Sequence, residues 1–279
     1  MTAPIHTLFQ AYPIRGTTTL STGEAPSVPY HIYDGYGAFI GGTADLAKVR
    51  QLLASEEVTP VQNSDGRALM GIWLCDFTQA NLGPHHELQV SIFVGRDEIA
   101  PIAPHRISLL AAMLARPDMQ MMCHGLWNNS PLVVAYNREL FSLNARLSAG
   151  TFQRSAQALA CAVEDAESSA PLIRCKLTHP DSAAFDATFA LLRHLGLGRT
   201  IQINRQPWVE MQIVNPLGVK LAHNGTARAY TSNATNRVRY FDPQHDELRL
   251  DAAPYAALDF HPDFVPDMTG FKFVYEEPT

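Results

Sequence analysis

The sequence predicts an α+β fold built on one large, mainly antiparallel sheet with a few peripheral helices. Two observations carry that prediction. Segments with strand alternation recur along the chain and are mixed irregularly with short helical patterns, without repeats or long linkers. Apolar residues make up 46% of the 279 positions, enough for a sizeable core. A sheet of this size is expected to curl into a barrel or cone whose interior holds a small ligand.

Taken in order, residues 1–29 hold Gly16, Gly23, Pro26 and Pro29 among Ser and Thr, the composition of an irregular arm. Residues 30–279 are expected to form a single domain. Tyr30 to Ile40 reads as an aromatic-rich strand, and a helix follows with Thr43 as N-cap and Leu46, Val49, Leu52 and Leu53 at helical spacing. The turn Asn63-Ser64-Asp65-Gly66 leads into an apolar strand over Ala68 to Phe77. From Glu87 to Val94 the alternation is strict: Leu88, Val90, Ile92 and Val94 share one face, and Glu87, Gln89, Ser91 and Phe93 the other.

A helix is expected over Pro104 to Ala115, ended by Arg116-Pro117, and a short strand over Met119 to Cys123. Ser130 as N-cap with Pro131 at the first helical position opens a helix that runs to Phe141. Further strands are expected at Ala158 to Val163, Leu172 to Leu177, Val209 to Val214, Ala227 to Thr231 and Arg237 to Phe241, with one helix at Ala183 to Leu195 capped by Gly196.

Composition excludes several classes. A formal net charge of -6 without a Lys/Arg cluster argues against nucleic acid as partner. No basic segment followed by an apolar core opens the chain, and no apolar run is long enough to span a bilayer, so a cytoplasmic protein is expected. Cys75, Cys123, Cys161 and Cys175 lack CxxC spacing and read as reduced, buried thiols. No metal is expected: His85 and His86 are adjacent on an extended segment and point to opposite faces. No cofactor is expected either.

The residues that could carry chemistry fall into two groups. Glu87 starts the polar face of a strand whose other face is core, so it is either a solvated strand-end carboxylate or an acid–base group. Arg138 and Glu139 lie late in the Ser130 helix, as a surface charge pair or with Arg138 as a carboxylate-binding fork. His124, within Met122-Cys123-His124-Gly125-Leu126-Trp127, reads as a core histidine or an acid–base group. Trp127 and Tyr136 read as packing residues or as walls of an apolar pocket that bind substrate.

Four local patterns, in this order, resemble the acetoacetate decarboxylase family. Thr43-Ala44-Asp45-Leu46 with Val49-Arg50-Gln51-Leu52-Leu53 is similar to its first helix, and Leu82 to Glu87 with Leu88-Gln89-Val90 to its glutamate-bearing strand. Asn137-Arg138-Glu139-Leu140 resembles its Gly-Arg-Glu motif, and Val265-Pro266 through Phe271 to Glu276 its C-terminal strand. The resemblance implies that Glu87 is an active-site glutamate, that Glu139 belongs to the Arg-Glu signature, and that the chain assembles as a homo-oligomer.

One departure dominates. Where the family has Pro-Lys-Lys, this chain has Asn144-Ala145-Arg146, so Ala145 stands at the Schiff-base lysine and Arg146 at its cationic neighbour; Asp34 falls near the family's arginine. Alanine cannot condense with a ketone, and an arginine, always protonated, is no nucleophile. Only Lys48, Lys176, Lys220 and Lys272 remain, none of them at a matching position. The expectation is therefore an enzyme of this fold that acts on a small organic acid or carbonyl compound without an imine. Glu87, Glu139, His124 and Arg146 would act as catalytic groups, and Arg138, Trp127 and Tyr136 would bind substrate. A non-catalytic binding module and a decarboxylase with a relocated lysine are the alternatives.

Overall fold

A computed structural model of the chain describes residues 6–106, 108–116, 118–179, 209–214, 226–232 and 235–277. The N-terminal stretch, expected to be irregular, carries helix α1 (Thr7–Ala11) and the paired strands β1 (Gly16–Thr17) and β2 (Ser27–Val28). Then come β3 (Tyr30–Asp45), α2 (Leu46–Leu52), β4 (Thr59–Pro60), β5 (Arg67–Ala80), β6 (His85–Gly95), α3 (Ser108–Ala115), β7 (Gln120–Asn128) and α4 (Pro131–Phe141). The strands β8 (Ala145–Arg154), β9 (Ala158–Asp165), β10 (Pro171–Thr178), β11 (Val209–Val214), β12 (Thr226–Ser232), β13 (Thr235–Tyr240) and β14 (Glu247–Leu250) follow. A 3-10 turn at Tyr255–Leu258, then β15 (His261–Thr269) and β16 (Lys272–Glu276), complete the described elements. The helix expected at Ala183 to Leu195 lies outside the described residues. Among those residues no helix is long and apolar enough to cross a membrane.

The chain is mainly sheet with few helices, as the alternation predicted. Several boundaries differ. Strand β3 runs on to Asp45, and it is Asp45, not Thr43, that caps α2 by accepting from the Lys48 N–H at 2.9 Å. Pairing explains the length, because twelve residues of β3 are held against β5, as far as Asp45 opposite Arg67. Helix α4 starts as expected, with the Ser130 hydroxyl accepting from Val133 N–H and Pro131 at the first position. Strand β8, absent from the sequence expectation, begins at Ala145 and pairs in parallel with β7.

The expected closure into a barrel is corrected by the pairings. From β7 the ladder passes through β11, β12, β16, β3, β5 and β6, and β6 pairs back to β7. It does not stop there. Strand β7 gives Met121 and Met122 to β11 but Leu126, Trp127 and Asn128 to β8, so the sheet splits along one strand. From β8 it continues through β9 and β10 to β14, which pairs with no further strand among the described residues. A barrel has no edge strand; this sheet has one and is not closed into a barrel.

The split produces two cores. On one face of β3, β5 and β6, Ile40, Ile72, Leu88, Val90 and Ile92 pack against Leu159, Val163, Ile173 and Leu177 of β9 and β10. On the other, here the inner face, Phe39, Trp73, Cys75, Phe77 and Phe93 meet Leu109 of α3, Val133, Tyr136 and Phe141 of α4, and Phe271 and Tyr275 near the C-terminal strand. The inner core is held by aromatic rings, and Phe39 is seated against Trp73, Phe93 and Phe264. Its ring covers Gly71: a Cβ there would lie 2.2 Å from Phe39 Cε2. Gly71→Ala is expected to lower stability by roughly 1–3 kcal/mol, the usual cost of overpacking, read as a shifted midpoint in urea unfolding.

Candidate active site

Strand β6 places its alternating polar residues in the inner core, not in solvent. Gln89 and Ser91 are buried, and the Gln89 amide donates to the Ser91 hydroxyl at 2.7 Å. Two positions earlier Glu87 points the same way. Across the strand pairs, Glu87 sits opposite Cys75 of β5 on one side and Asn128 of β7 on the other. Asn128 Nδ2 donates to Glu87 Oε2 at 3.1 Å, and Asn137 Nδ2 from α4 donates to Asn128 Oδ1 at 3.2 Å. Both asparagines are almost fully buried.

Glu87 keeps a little accessible surface because it faces a cavity, yet the surrounding atoms desolvate it. Burial raises its pKa to about 7, against the partial relief of the Asn128 hydrogen bond. The cavity, about 40 Å³ in volume, also presents Tyr30, Gln89, Asn137, Tyr275 and Cys75. That is room for a few waters or a ligand of few heavy atoms. Its remaining walls are apolar, formed by Trp73, Phe77, Phe271 and Phe273 among others.

His85 supports this wall. Its Nδ1–H donates to the Gly83 carbonyl at 2.8 Å, so Nε2 is left to accept from the Tyr30 hydroxyl. Burial lowers its pKa to about 4, which keeps the ring neutral at physiological pH. Both ring nitrogens are thus occupied. His86 faces the opposite side of the sheet, 3.3 Å from Asp76.

The remaining residues singled out from the sequence are not gathered around Glu87, and for Trp127 a bulge in β7 is the reason. Gly125 pairs with Val90 and Cys123 with Ser91, leaving His124 as the extra residue. The parity of the strand reverses there. Cys123 faces inward before the bulge, Leu126 and Asn128 after it, and Trp127 goes to the other core. His124 meets the Tyr255 hydroxyl at 2.7 Å, and its pKa is lowered to about 4 by burial and then by the charge of Arg146.

Arg146 pairs with Trp127 across the β7–β8 ladder and is exposed on that same outer side. Ala145, one residue earlier, faces inward beside Leu126, which lines the cavity. Arg138 is exposed and donates through Nε to the Ala145 carbonyl at 2.6 Å. Glu139 accepts from Ser21 N–H at 2.8 Å and Ser21 Oγ–H at 2.6 Å, which tie the N-terminal stretch to α4 and lower the pKa of the carboxyl. Tyr136 is fully buried in the inner core against Tyr30 and Phe141, its hydroxyl without a partner.

Among the described residues the cavity lining contains no lysine. Lys48 and Lys176 are exposed, Lys272 donates to the Gly270 carbonyl at 3.2 Å, and Lys220 lies outside the described residues. A second, wider cleft of about 990 Å³ runs between β10, β14 and the Tyr255 turn. Its one deeply buried carboxylate, Asp246, is consumed by Arg239, so it offers no acid–base group comparable to Glu87.

Sequence reasoning missed Asn128, Tyr30, Tyr275 and the role of Asn137. Gly125 within an apolar strand was the available signal, since a glycine there marks a bulge or a close approach; a Cβ on it would lie 2.4 Å from the Tyr255 hydroxyl. The partners of Glu87 themselves come from strands distant in sequence.

No protein-family model matches the sequence, and no curated protein does either. Solved structures match over nearly the whole chain. The acetoacetate decarboxylase of Legionella pneumophila gives a TM-score of 0.60 at 12% identity, covering 100% of this chain and 97% of that one. Another acetoacetate decarboxylase structure gives 0.55 at 11% identity, covering 91% of this chain and 88% of that one. Identity this low speaks to backbone architecture and leaves activity to the site itself. The chain has the acetoacetate decarboxylase fold.

Proposed function

We propose that this protein is an enzyme that moves protons on a small carbonyl compound at Glu87, without an imine intermediate. One observation carries the proposal: a carboxyl desolvated by burial, its pKa raised to about 7, at the wall of a cavity with hydrogen-bonding neighbours. A group whose pKa lies near the working pH serves as both acid and base. Tyr275, Gln89 and Asn137 supply polar atoms that can orient a carbonyl, and the aromatic walls exclude water. In this reading Ala145 marks where a nucleophilic amine is missing, and Arg138, Glu139, His124, Trp127 and Arg146 lie outside the reacting centre. Tyr136 backs the wall through Tyr30.

The test is exchange of protons next to the carbonyl in deuterated water, followed by NMR across a panel of small ketones, aldehydes and keto acids. Catalysed exchange or turnover of at least one compound is the expected result. Binding without any exchange or turnover would make the chain a binding module instead. Borohydride added with each ketone is expected to leave every lysine unmodified; a lysine adduct that depends on substrate would replace this mechanism with an imine one.

A further inference from the structure

The hydrogen bonds around Glu87 form a directed series. An ionised carboxylate offers only acceptors. Asn128 therefore turns its amide nitrogen toward it, at 3.1 Å, and keeps its oxygen for Asn137 Nδ2, at 3.2 Å. Asn137 is left with its own oxygen, and this Oδ1 is buried without a partner on a residue that lines the cavity. Each amide is fixed by the one before it, and the last presents an acceptor. A buried acceptor left unmade is costly, so the cavity is incomplete without a donor.

Adding a proton to Glu87 lets the series run the other way. The carboxylic acid keeps one acceptor oxygen and gains an O–H donor; when that O–H is directed at Asn128, Asn128 offers it oxygen, and Asn137 offers oxygen to the Asn128 nitrogen. Nitrogen and oxygen trade places in each amide by rotation about one side-chain bond, with no change in the backbone. Asn137 then presents an N–H to the cavity.

We propose that Glu87, Asn128 and Asn137 form a relay that selects the ligand by its hydrogen-bonding sense. With Glu87 ionised the cavity takes a small hydroxyl-bearing carbonyl compound that donates to Asn137, and with Glu87 protonated it takes a simple ketone that accepts from Asn137. The proposal rests on the cavity being the ligand site, and it names the substrate class of that site as hydroxy-carbonyl compounds when the carboxylate is charged.

The titrating group has no rival nearby among the described residues. Tyr30 from β3, Cys75 from β5, Cys123 from β7 and Tyr275 from β16 face it, and burial raises the pKa of each. They stay neutral while Glu87 titrates. From its own strand, His85 stays neutral because burial lowers its pKa to about 4. Helix α4 contributes Asn137 and Tyr136, whose phenol is likewise pushed up by burial.

The probes are hydroxyacetone and acetone, which differ by one hydroxyl, titrated into the protein by NMR at about pH 5.5 and about pH 8.5, either side of the Glu87 range. The preference for hydroxyacetone is expected to rise about tenfold between the two, the worth of one neutral hydrogen bond. The side-chain amide signals of Asn137 are expected to move with the Glu87 titration and to stand still in Glu87→Gln. Asn128→Leu is expected to leave Glu87 titrating while the preference becomes independent of pH. A preference that does not change with pH in the native chain overturns the relay, whatever the variants do. The two readings fail separately: proton exchange with a flat preference removes the relay alone, and a switching preference without exchange removes the enzymatic reading alone.

Discussion

Glu87→Gln is expected to abolish proton exchange, by a hundredfold or about that order for a lost acid–base group, and at the same time to make the protein more stable above neutral pH. The second half follows from linkage. The folded-state pKa of Glu87 is raised to about 7 from an ordinary 4.5, chiefly by desolvation. Below the ordinary value both folded and unfolded chains hold the proton, and the group contributes nothing. As pH rises from there, the unfolded chain releases its proton while the folded one keeps it, so stability falls. The fall ends once the folded group ionises, near about 7, and the full penalty remains above that. It amounts to about 3 kcal/mol. Glutamine keeps the acceptor for Asn128 and carries no charge. A thermal melt should therefore show Glu87→Gln several degrees above the native chain at about pH 8, with no gain at about pH 4. Equal melting at both would mean that Glu87 is not desolvated in solution.

Asp246→Ala is expected to have the largest purely structural effect. Its carboxylate has no exposed surface and accepts from the two terminal guanidinium nitrogens of Arg239, from the Thr178 N–H and hydroxyl, and from the Asp242 N–H. Burial would raise its pKa, but these donors outweigh it, and the net shift is downward. Arg239 belongs to β13 and Thr178 to the end of β10, so one side chain ties the β13–β15 pair to the second layer. Removing it leaves a buried arginine and backbone N–H groups unpaired, a loss of about 3–5 kcal/mol. Urea unfolding measures it. For the native chain, the contribution of Asp246 is complete above the ordinary carboxyl pKa and is lost as pH falls through the lowered folded value. Asp246→Asn should therefore blunt the acid limb of the stability curve while leaving exchange at Glu87 unchanged.

Much of the architecture was legible one segment at a time. The strict alternation of Glu87 to Val94 already assigned Leu88, Val90, Ile92 and Val94 to one core and Glu87, Gln89, Ser91 and Phe93 to another surface, because strand side chains alternate with a period of two. Ser130 and Pro131 fixed the start of α4 by satisfying N–H groups that any helix leaves open. What stayed open was whether the second surface of β6 met solvent. Nothing in eight residues says that α4 and β16 cover it.

The candidate site was legible only in its first member. Glu87 was identifiable as the carboxylate on the partly polar face of a strand whose other face is core. His124 leaves the site by alternation from Cys123, and Trp127 leaves it because one inserted residue in β7 turns every later side chain of that strand to the opposite face, with Arg146 of β8 paired beside it. The same insertion brings Asn128 to Glu87.

By itself, then, the sequence determined the periodicities, the N-cap of α4 and the one acidic residue on the face opposite the β6 core, because each depends on neighbours within a few residues. Tertiary structure decided that this face is closed over, that the sheet splits at β7 and not into a barrel, and that Asn128 and Asn137 meet Glu87. Those outcomes depend on pairings between strands far apart in the chain and on a register shift of one residue, and the raised pKa of Glu87 exists only once those distant segments have excluded water from it.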